Sequence, residues 1–242
     1  MFRIKDLHIR FDQRFSLDIP AFDFQAGRRY VLLGVNGSGK TTLLRALAGL
    51  GSPAGPNGPN SQNGLITWIG APALQPGDLG YMPQTPYAFA LSVLANVRLA
   101  IPPAWRQNKA ADCALALQAL EKVGIAHLAA ARADRLSGGE TQRLALARIL
   151  VVPRRVILLD EPGHSLDLAG LAAINGILDA YVRECGCLLI LVTHQLAMVR
   201  QLADDVLFLD QGQLISHGPP EQILDRPADP RLQLLLSQST LL

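Results

Sequence analysis

Residues 34–41 carry the most specific chemical pattern in the chain, GVNGSGKT. The pattern has the spacing G-x-x-x-x-G-K-[ST] and follows an apolar run, Tyr30 to Leu33, that predicts a strand. The glycines allow a tight loop whose backbone N–H groups face phosphate oxygens, and a helix from Lys40 to about Leu50 adds its positive dipole end. We expect Lys40 to reach the β and γ phosphates of a nucleotide and the Thr41 hydroxyl to bind Mg²⁺. The alternative, a Gly-rich turn with an accidental lysine, does not account for the strand before the loop and the helix after it.

Two carboxylates follow a second apolar run, Val156 to Leu159, which reads as a buried strand. Ligands of open α/β sheets bind at the carboxyl ends of the strands. We therefore expect Asp160 to hold Mg²⁺ through water and Glu161 to polarise an attacking water. An apolar strand before Asp-Glu is weak evidence alone, because turns often begin this way, but it becomes strong beside a phosphate loop.

The third pattern is Leu136-Ser137-Gly138-Gly139-Glu140, which precedes an apolar-patterned helix. Ser137 is a good N-cap, and Glu140, three residues later, completes a capping box. By itself the pattern is typical of a well-capped helix and nothing more. Its position, about twenty residues before the carboxylate strand, favours a functional role beyond capping.

Composition limits the class of protein. The 242 residues are 49% hydrophobic and 17% charged, which indicates a folded domain with a sizeable core and argues against disorder. No run of eighteen apolar residues is present, and the charged N-terminus does not resemble a secretory signal. The net charge of +2 and 5% aromatic content argue against a nucleic-acid partner.

The cysteines form no disulfide framework. Cys185 and Cys187 are spaced so that they could bind a metal, but no second Cys or His pair lies at zinc-site spacing. The run from Cys187 into Leu188–Val192 reads instead as the start of a strand. Together with Cys113, the set indicates a reduced cytosol.

Periodicity along the chain predicts an α/β fold with an insertion. Alternation within the first thirty residues predicts short antiparallel strands, and residues 51–64 read as an exposed loop. Helical patterns dominate residues 85–150, with Cys113, Leu117 and Leu120 on one helix face. Further strands are predicted at 65–69, 79–82, 156–159, 188–192 and 206–209, with helices around 168–184 and 195–203. We expect a nucleotide-binding core from 1–84 and 151–217, a helical subdomain at 85–150 and a C-terminal tail at 218–242.

Taken together, the sequence resembles the ATP-binding cassette (ABC) ATPases over nearly its whole length. Gly34–Thr41 is similar to their Walker A motif, Ile157–Glu161 to Walker B and Leu136–Glu140 to the signature motif. Four weaker matches follow the family's order: Phe11 for the adenine-stacking aromatic, Gln84 for the Q-loop, Ser165-Leu166-Asp167 for the D-loop and His194 for the switch histidine. The fold implied is a P-loop NTPase (RecA-like) with a parallel-sheet core, an N-terminal antiparallel β subdomain and an inserted α-helical subdomain.

The resemblance implies a set of site residues. Catalysis would involve Glu161, His194, Lys40 and Gln84, and the metal would be held by Thr41, Gln84 and Asp160. Nucleotide-binding residues would be Phe11, Gly34, Val35, Asn36, Gly37, Ser38, Gly39, Lys40, Thr41, Thr42, Ser137, Gly138 and Gly139. Four positions depart from the family pattern: Glu140 replaces the usual Gln, Gly163-His164 the common Thr-Ser, and Phe11 the usual Tyr.

The resemblance also implies partners. Two ATPase subunits, expected as a homodimer, would sandwich two MgATP molecules and drive a separate integral-membrane permease at the cytoplasmic face of the inner membrane. An extracytoplasmic solute-binding protein is expected in the complex, and helices near residues 85–100 would form the docking surface. Segments 85–89, 92–97 and 136–148 resemble ATPases of tungstate and related oxyanion importers.

Two other classes stay open at this point. One is a soluble cassette ATPase that acts on DNA or ribosomes; such proteins usually carry coiled-coil insertions or tandem cassettes, and this chain shows neither. The other is a non-hydrolysing assembly module, which would lack the Walker carboxylate or the switch histidine.

Overall fold

The computed structural model describes residues 1–11, 15–50, 62–70, 72–75, 77–164 and 166–239. The strands are β1 (Phe2–Phe11), β2 (Phe15–Phe24), β3 (Arg29–Leu33), β4 (Gln62–Trp68), β5 (Leu79–Met82), β6 (Val156–Asp160), β7 (Leu188–Val192), β8 (Asp205–Asp210) and β9 (Gln213–Gly218). The α-helices are α1 (Lys40–Leu47), α2 (Val93–Leu99), α3 (Lys109–Lys122), α4 (Gly138–Leu150), α5 (Leu168–Cys185), α6 (Leu196–Leu202) and α7 (Pro230–Ser239). Short 3₁₀ turns lie at Pro103–Trp105, Ala126–Leu128 and Ala133–Arg135, and a π turn at Glu221–Asp225.

The chain forms two compact units. The first consists of Met1–Ala73 and Leu188–Leu242, and the second of Leu74–Cys187. The domain boundaries expected from the sequence, at 84/85 and 150/151, both fall inside the second unit. Strands β5 and β6 and helix α5 are thus grouped with the helical segment rather than with the phosphate loop.

The first unit contains a mixed sheet with the strand order β4-β1-β2-β9-β8-β3-β7. Strands β1, β2 and β4 are antiparallel, and β1 buries alternate apolar side chains, Phe2 and Ile4 before its bulge and Leu7 and Ile9 after it. In contrast, β3 runs parallel to both β7 and β8. All five residues of β7 are buried, as expected for a parallel strand covered on both faces. The predicted combination of an N-terminal antiparallel region with a parallel core is confirmed.

Strand β4 corrects one expectation. Gln62, Asn63 and Gly64 were expected in a loop, but they belong to β4, because Gln62 and Asn63 pair with residues of β1. Gly64 has φ 90°, and a Cβ there would lie 2.0 Å from the carbonyl oxygen of Asp6. A glycine that seemed to mark a loop therefore accommodates the bulge of β1. The rest of the predicted loop, residues 51–61, lies outside the described residues.

The second unit pairs β5 with β6 in parallel and packs α2, α3 and α4 against one another. Helix α3 is present as predicted, but the face formed by Cys113, Leu117 and Leu120 is only partly buried. Ala116, Ala119 and Leu120 are buried, whereas Leu117 is 39% exposed and Cys113 is half-buried. Small alanines allow the neighbouring helices to approach closely, so the buried face is not the one with the most large apolar side chains.

The Cys-Gly-Cys segment lies at the end of the second unit. Cys185 is the last residue of α5, and Gly186 ends that helix with φ 60°. Cys187 is 1% exposed, and burial together with the neighbouring Cys185 raises its pKa to about 12. A thiol buried in apolar surroundings is unreactive, which agrees with the reading of this segment as a strand start.

Among the described residues, no helix is both long and apolar enough to cross a bilayer.

Candidate functional site

The phosphate-loop motif lies between β3 and α1, so the predicted strand–loop–helix context is confirmed. Gly34 has φ 155°, and a Cβ there would lie 2.2 Å from the carbonyl oxygen of Leu209. Gly39, which directly precedes α1, has φ 104°. Only glycine fits these two positions without strain, because one is crowded by backbone and the other has left-handed geometry.

Lys40 points back into the loop. Its side chain is almost completely buried, and its Nζ donates hydrogen bonds of 2.8 Å to the carbonyl oxygens of Gly34 and Val35. The Ser38 N–H donates to the same Val35 carbonyl at 3.1 Å, which closes the loop around the ammonium group. The loop therefore surrounds a buried cation at a helix N-terminus, an arrangement that fits a polyphosphate.

The remaining loop residues surround this cation. Val35, Asn36, Gly37 and Thr41 are exposed, Thr42 is half-buried and Ser38 is buried. The first turn of α1 contains no acidic residue, so nothing there offsets the positive dipole end.

The hairpin between β8 and β9 supports the loop from behind. Its turn contains Gln211 at φ 46° and Gly212 at φ 79°. The Gly212 N–H donates to the Ser38 carbonyl at 3.1 Å, and the Asp18 N–H donates to the Gly212 carbonyl at 2.7 Å. Sequence reasoning missed this contact. The dipeptide Gln-Gly indicates a turn, but which loop the turn supports depends on the strand order.

His194 lies at the same edge of the sheet as the loop. Leu32 of β3 is paired in parallel with Val192 of β7, and Gly34 and His194 each lie two residues beyond that pair. The His194 side chain is exposed. Just before it, the buried Thr193 accepts a 3.1 Å hydrogen bond from the Gln195 N–H through its Oγ1.

In the second unit, Gln84, Asp160 and Glu161 lie at the carboxyl ends of the paired strands β5 and β6. Met82 of β5 pairs with Leu159 of β6, so Gln84 and Glu161 each lie two residues beyond that pair. Asp160 is 1% exposed, while Gln84 is exposed. Glu161 has φ 50°, a strained conformation for a non-glycine residue and one that is common at functional sites.

His164 contacts the Glu161 carboxylate. Its Nδ1 lies 3.4 Å from Glu161 Oε2, and its backbone N–H donates to the Glu161 carbonyl at 3.2 Å. The Glu161 side chain is only 13% exposed, whereas the His164 side chain is 65% exposed. One of the residues that departs from the family pattern is thus in direct contact with the predicted catalytic carboxylate.

The signature segment begins helix α4 as predicted. Ser137 is the N-cap, and the capping box with Glu140 is present in both directions. Glu140 Oε2 accepts 2.8 Å hydrogen bonds from the Ser137 N–H and from the Ser137 hydroxyl. These bonds hold the pKa of Glu140 below its usual range. Ser137 and Gly138 are exposed, and Gly139 is half-buried.

Phe11 and Ser165 are only partly covered, or not covered, by the described residues. Phe11 ends β1 with its backbone opposite Phe15, but its side chain lies outside the described residues. Ser165 of the predicted D-loop also lies outside them. Asp167 caps α5, where its Oδ1 accepts a 2.8 Å hydrogen bond from the Gly170 N–H.

The predicted Mg²⁺ ligands are Thr41, Gln84 and Asp160, a hydroxyl, an amide and a carboxylate. No group of three or more His, Cys, Asp or Glu side chains able to hold a metal is found in the described part of the chain. Mg²⁺ is usually held by one or two protein oxygens together with water and substrate phosphates. A hydroxyl, an amide and a carboxylate are all oxygen donors of the kind that Mg²⁺ takes.

Comparisons with known proteins match this arrangement. The family model for ABC transporters matches residues 17–164. The Fe(3+) ions import ATP-binding protein FbpC of Pseudomonas fluorescens is 37% identical over 95% of this chain and 63% of its own length. The molybdenum import ATP-binding protein ModC of Mycobacterium tuberculosis is 37% identical over 87% of this chain and 58% of its own length. The chain thus spans less than two thirds of these relatives.

A solved structure shows the same fold. An ATP-binding cassette dimer in a post-hydrolysis state, bound to ADP and Pi, aligns with a TM-score of 0.77 and 22% identity, covering 91% of this chain and 99% of the other. The family match extends from strand β2 through the phosphate loop to the Asp160–Glu161 carboxylates. On this evidence the chain belongs to the ABC transporter family.

Proposed function

We propose that the chain is the ATP-hydrolysing subunit of an ABC importer, which dimerises around two MgATP and drives a small solute through a separate permease. The observation that carries this proposal is the buried Lys40 ammonium inside a glycine loop at the start of α1. The names of the relatives, which are import ATP-binding proteins, support the direction of transport.

Each site residue then has a distinct task. Lys40 and the loop N–H groups would bind the phosphates, while Thr41, Gln84 and Asp160 would hold Mg²⁺. When bound, Mg²⁺ neutralises charge on the phosphate oxygens. Glu161 orients a water molecule and takes its proton. The His194 imidazole lies at the same sheet edge as the phosphate loop, where it would assist catalysis.

The signature segment acts in this proposal on the nucleotide of a second copy. Ser137, Gly138 and Gly139 form the N-terminus of α4, where exposed N–H groups and the helix dipole favour an anion. Two copies in a head-to-tail arrangement would each supply this segment to the other. The pair is therefore a homodimer whose closed form requires nucleotide.

The permease would bind an exposed apolar surface before and within α2. We call Tyr87, Phe89, Leu91 and Leu99 the docking patch; each is between 44% and 64% exposed. The Arg148 guanidinium lies over the rings of Tyr87 and Phe89, and its Nη1 donates to the Tyr87 carbonyl at 2.6 Å. Rigidly supported apolar residues at a surface are typical of a protein–protein interface.

The inner side of the docking patch is also fixed. Asn96 is buried, and it bonds both the backbone N–H and the carbonyl of Phe89, at 2.9 and 3.1 Å. A groove of about 270 Å³ adjoins the patch and is lined in part by Pro86, Tyr87 and Arg148. This surface would hold the subunit at the cytoplasmic face of the membrane, with a solute-binding protein on the other side.

For the solute we propose an oxyanion such as tungstate. The similarity to a molybdenum import protein supports it, together with the resemblance of segments 85–89, 92–97 and 136–148 to oxyanion importers. The ATPase subunit does not bind the solute, so the substrate must be tested in the whole complex.

The test combines co-purification with solute-dependent turnover. We expect the chain to hydrolyse MgATP, to co-purify with an integral-membrane protein and to be stimulated by tungstate in the presence of a binding protein. Tyr87→Ala together with Phe89→Ala should abolish co-purification and leave basal hydrolysis unchanged. Trp105→Ala, an exposed aromatic residue outside the docking patch, is the matched control. Hydrolysis stimulated by RNA or ribosomes, with no membrane protein bound, would contradict the proposal.

A further inference from the structure

Glu140 and Ser137 are tied together by three hydrogen bonds. The Ser137 N–H and hydroxyl each donate to Glu140 Oε2 at 2.8 Å, and the Glu140 N–H donates to Ser137 Oγ at 3.3 Å. A serine hydroxyl has a single proton to donate. In this arrangement the proton belongs to the bond with Glu140, so Ser137 has none to offer an incoming phosphate.

The carboxylate also places a negative charge beside the expected anion site. The two hydrogen bonds from Ser137 stabilise the ionised form of Glu140, and the positive end of the α4 dipole does the same. Ser137 is exposed and Glu140 is half-buried, so the charge lies at the surface that a second copy would approach.

We infer that Glu140 restrains closure of the ATP-bound dimer, by occupying the Ser137 hydroxyl and by repelling the γ-phosphate held by the partner copy. This inference rests on the proposed sandwich of two copies. Glu140 Oε2 bonds both the N–H and the hydroxyl of Ser137, so a phosphate drawn to the start of α4 would approach this carboxylate. Like charges at close range repel appreciably near a protein surface, and the repulsion is partly screened by salt.

A Glu140→Gln substitution removes the negative charge but keeps the helix cap. The glutamine amide oxygen has the same reach as the Glu140 carboxylate, so Glu140→Gln can still accept the Ser137 N–H and complete the capping box. Alanine would remove both the charge and the cap. The glutamine variant therefore tests electrostatics, and Glu140→Ala reports on helix stability.

The experiment measures the dimer dissociation constant by sedimentation in saturating MgATP, using a Glu161→Gln parent that hydrolyses slowly. Glu140→Gln should tighten the dimer about tenfold at about 0.05 M salt, and the difference should shrink at about 0.5 M salt. Glu121→Gln is the matched control, because it removes an exposed carboxylate from α3 in the same unit. Its dimer should dissociate like the parent.

The outcomes separate this inference from the proposed function. If Glu140→Gln leaves the dimer dissociation constant unchanged or raises it, and thermal unfolding is unchanged, the role of Glu140 alone is overturned. If neither the parent nor its Glu140→Gln derivative forms a dimer in MgATP, the sandwich itself is wrong and this inference fails with it. Equal tightening by Glu121→Gln would assign the effect to net charge and also overturn the inference.

Discussion

The Asp204 carboxylate accepts hydrogen bonds from Arg29 at both its backbone N–H and its guanidinium, at 2.8 and 2.9 Å. This pair joins the start of β3 to the residue before β8. Burial acts to raise the pKa of Asp204, but the bonds from Arg29 and the charges of Arg29 and Arg28 outweigh it, and the net pKa lies below the usual value. The strand that leads into the phosphate loop is therefore fixed at its opposite end by an ionised carboxylate.

Asp204→Asn should destabilise the protein at neutral pH by about 1 kcal/mol, because the side chains of the pair are still partly exposed to water. A carboxyl whose pKa is depressed by folding contributes stability that is fully present above its unfolded pKa of about 3.9. That contribution is lost as the pH falls through the folded value, so the wild-type and variant unfolding curves should converge in acid. Urea unfolding of both proteins at neutral pH and in acid measures the difference in stability.

The control for that variant is Asp23→Asn, which breaks the exposed cross-strand pair with Arg3. Exposed ion pairs contribute little, so its curve should stay close to that of the wild type. A deficit in Asp204→Asn that is equally large in acid would show that charge is not the cause.

Lys40→Ala should lower nucleotide affinity about 100-fold or more, because charge-assisted hydrogen bonds to phosphate are lost in a buried setting. Titration with a fluorescent ATP analogue measures the dissociation constant. Arg45→Ala removes an exposed cation from the last turn of the same helix and should bind like the wild type. Unaltered binding in Lys40→Ala would rule out the phosphate loop as the nucleotide site.

Glu161→Gln should slow ATP turnover by about 10²- to 10⁴-fold, since a group that takes a proton in the transition state is lost. Binding should survive, so an ATP-bound dimer should accumulate and be visible by light scattering. Glu184→Gln, on the exposed face of α5, should turn over ATP normally. A Glu161→Gln protein that stays monomeric in MgATP contradicts the sandwich.

Tyr181→Phe should cost about 1–3 kcal/mol of stability. The buried hydroxyl donates to the Val152 carbonyl and accepts from the Arg154 N–H, both at 2.8 Å, and phenylalanine would leave both groups without this partner. Thermal and urea unfolding measure the loss. Tyr87 is 64% exposed, so Tyr87→Phe should unfold like the wild type.

The sequence was informative where local patterns decide the structure. The strand before Gly34, the helix from Lys40 and the capping box of Ser137 and Glu140 all depend on residues a few positions apart, and all are present. The same holds for the strand that ends at Asp160. Local sequence predicts such features because propensities, caps and glycine geometry act over one or two turns.

The sequence was misleading where distant pairing decides. Gln62–Gly64 looks like a turn, but it becomes strand because β1 supplies the hydrogen-bonding partners. Leu117 looks like a core residue, but the helices beside α3 pack on its alanines instead. The turn behind the phosphate loop likewise depends on a strand order that local sequence does not reveal.

The hairpin turn at Gln211-Gly212 makes the phosphate loop depend on a distant part of the gene. A Cβ at Gly212 would lie 1.8 Å from the Ser16 carbonyl oxygen, and the Leu209 carbonyl lies against Gly34. A frameshift or stop codon between residues 42 and 205 would leave GVNGSGKT unchanged for any motif search, yet remove the backbone that packs against it. Missense variants in this turn should therefore be classified with those in the motif itself, although more than 160 residues separate them.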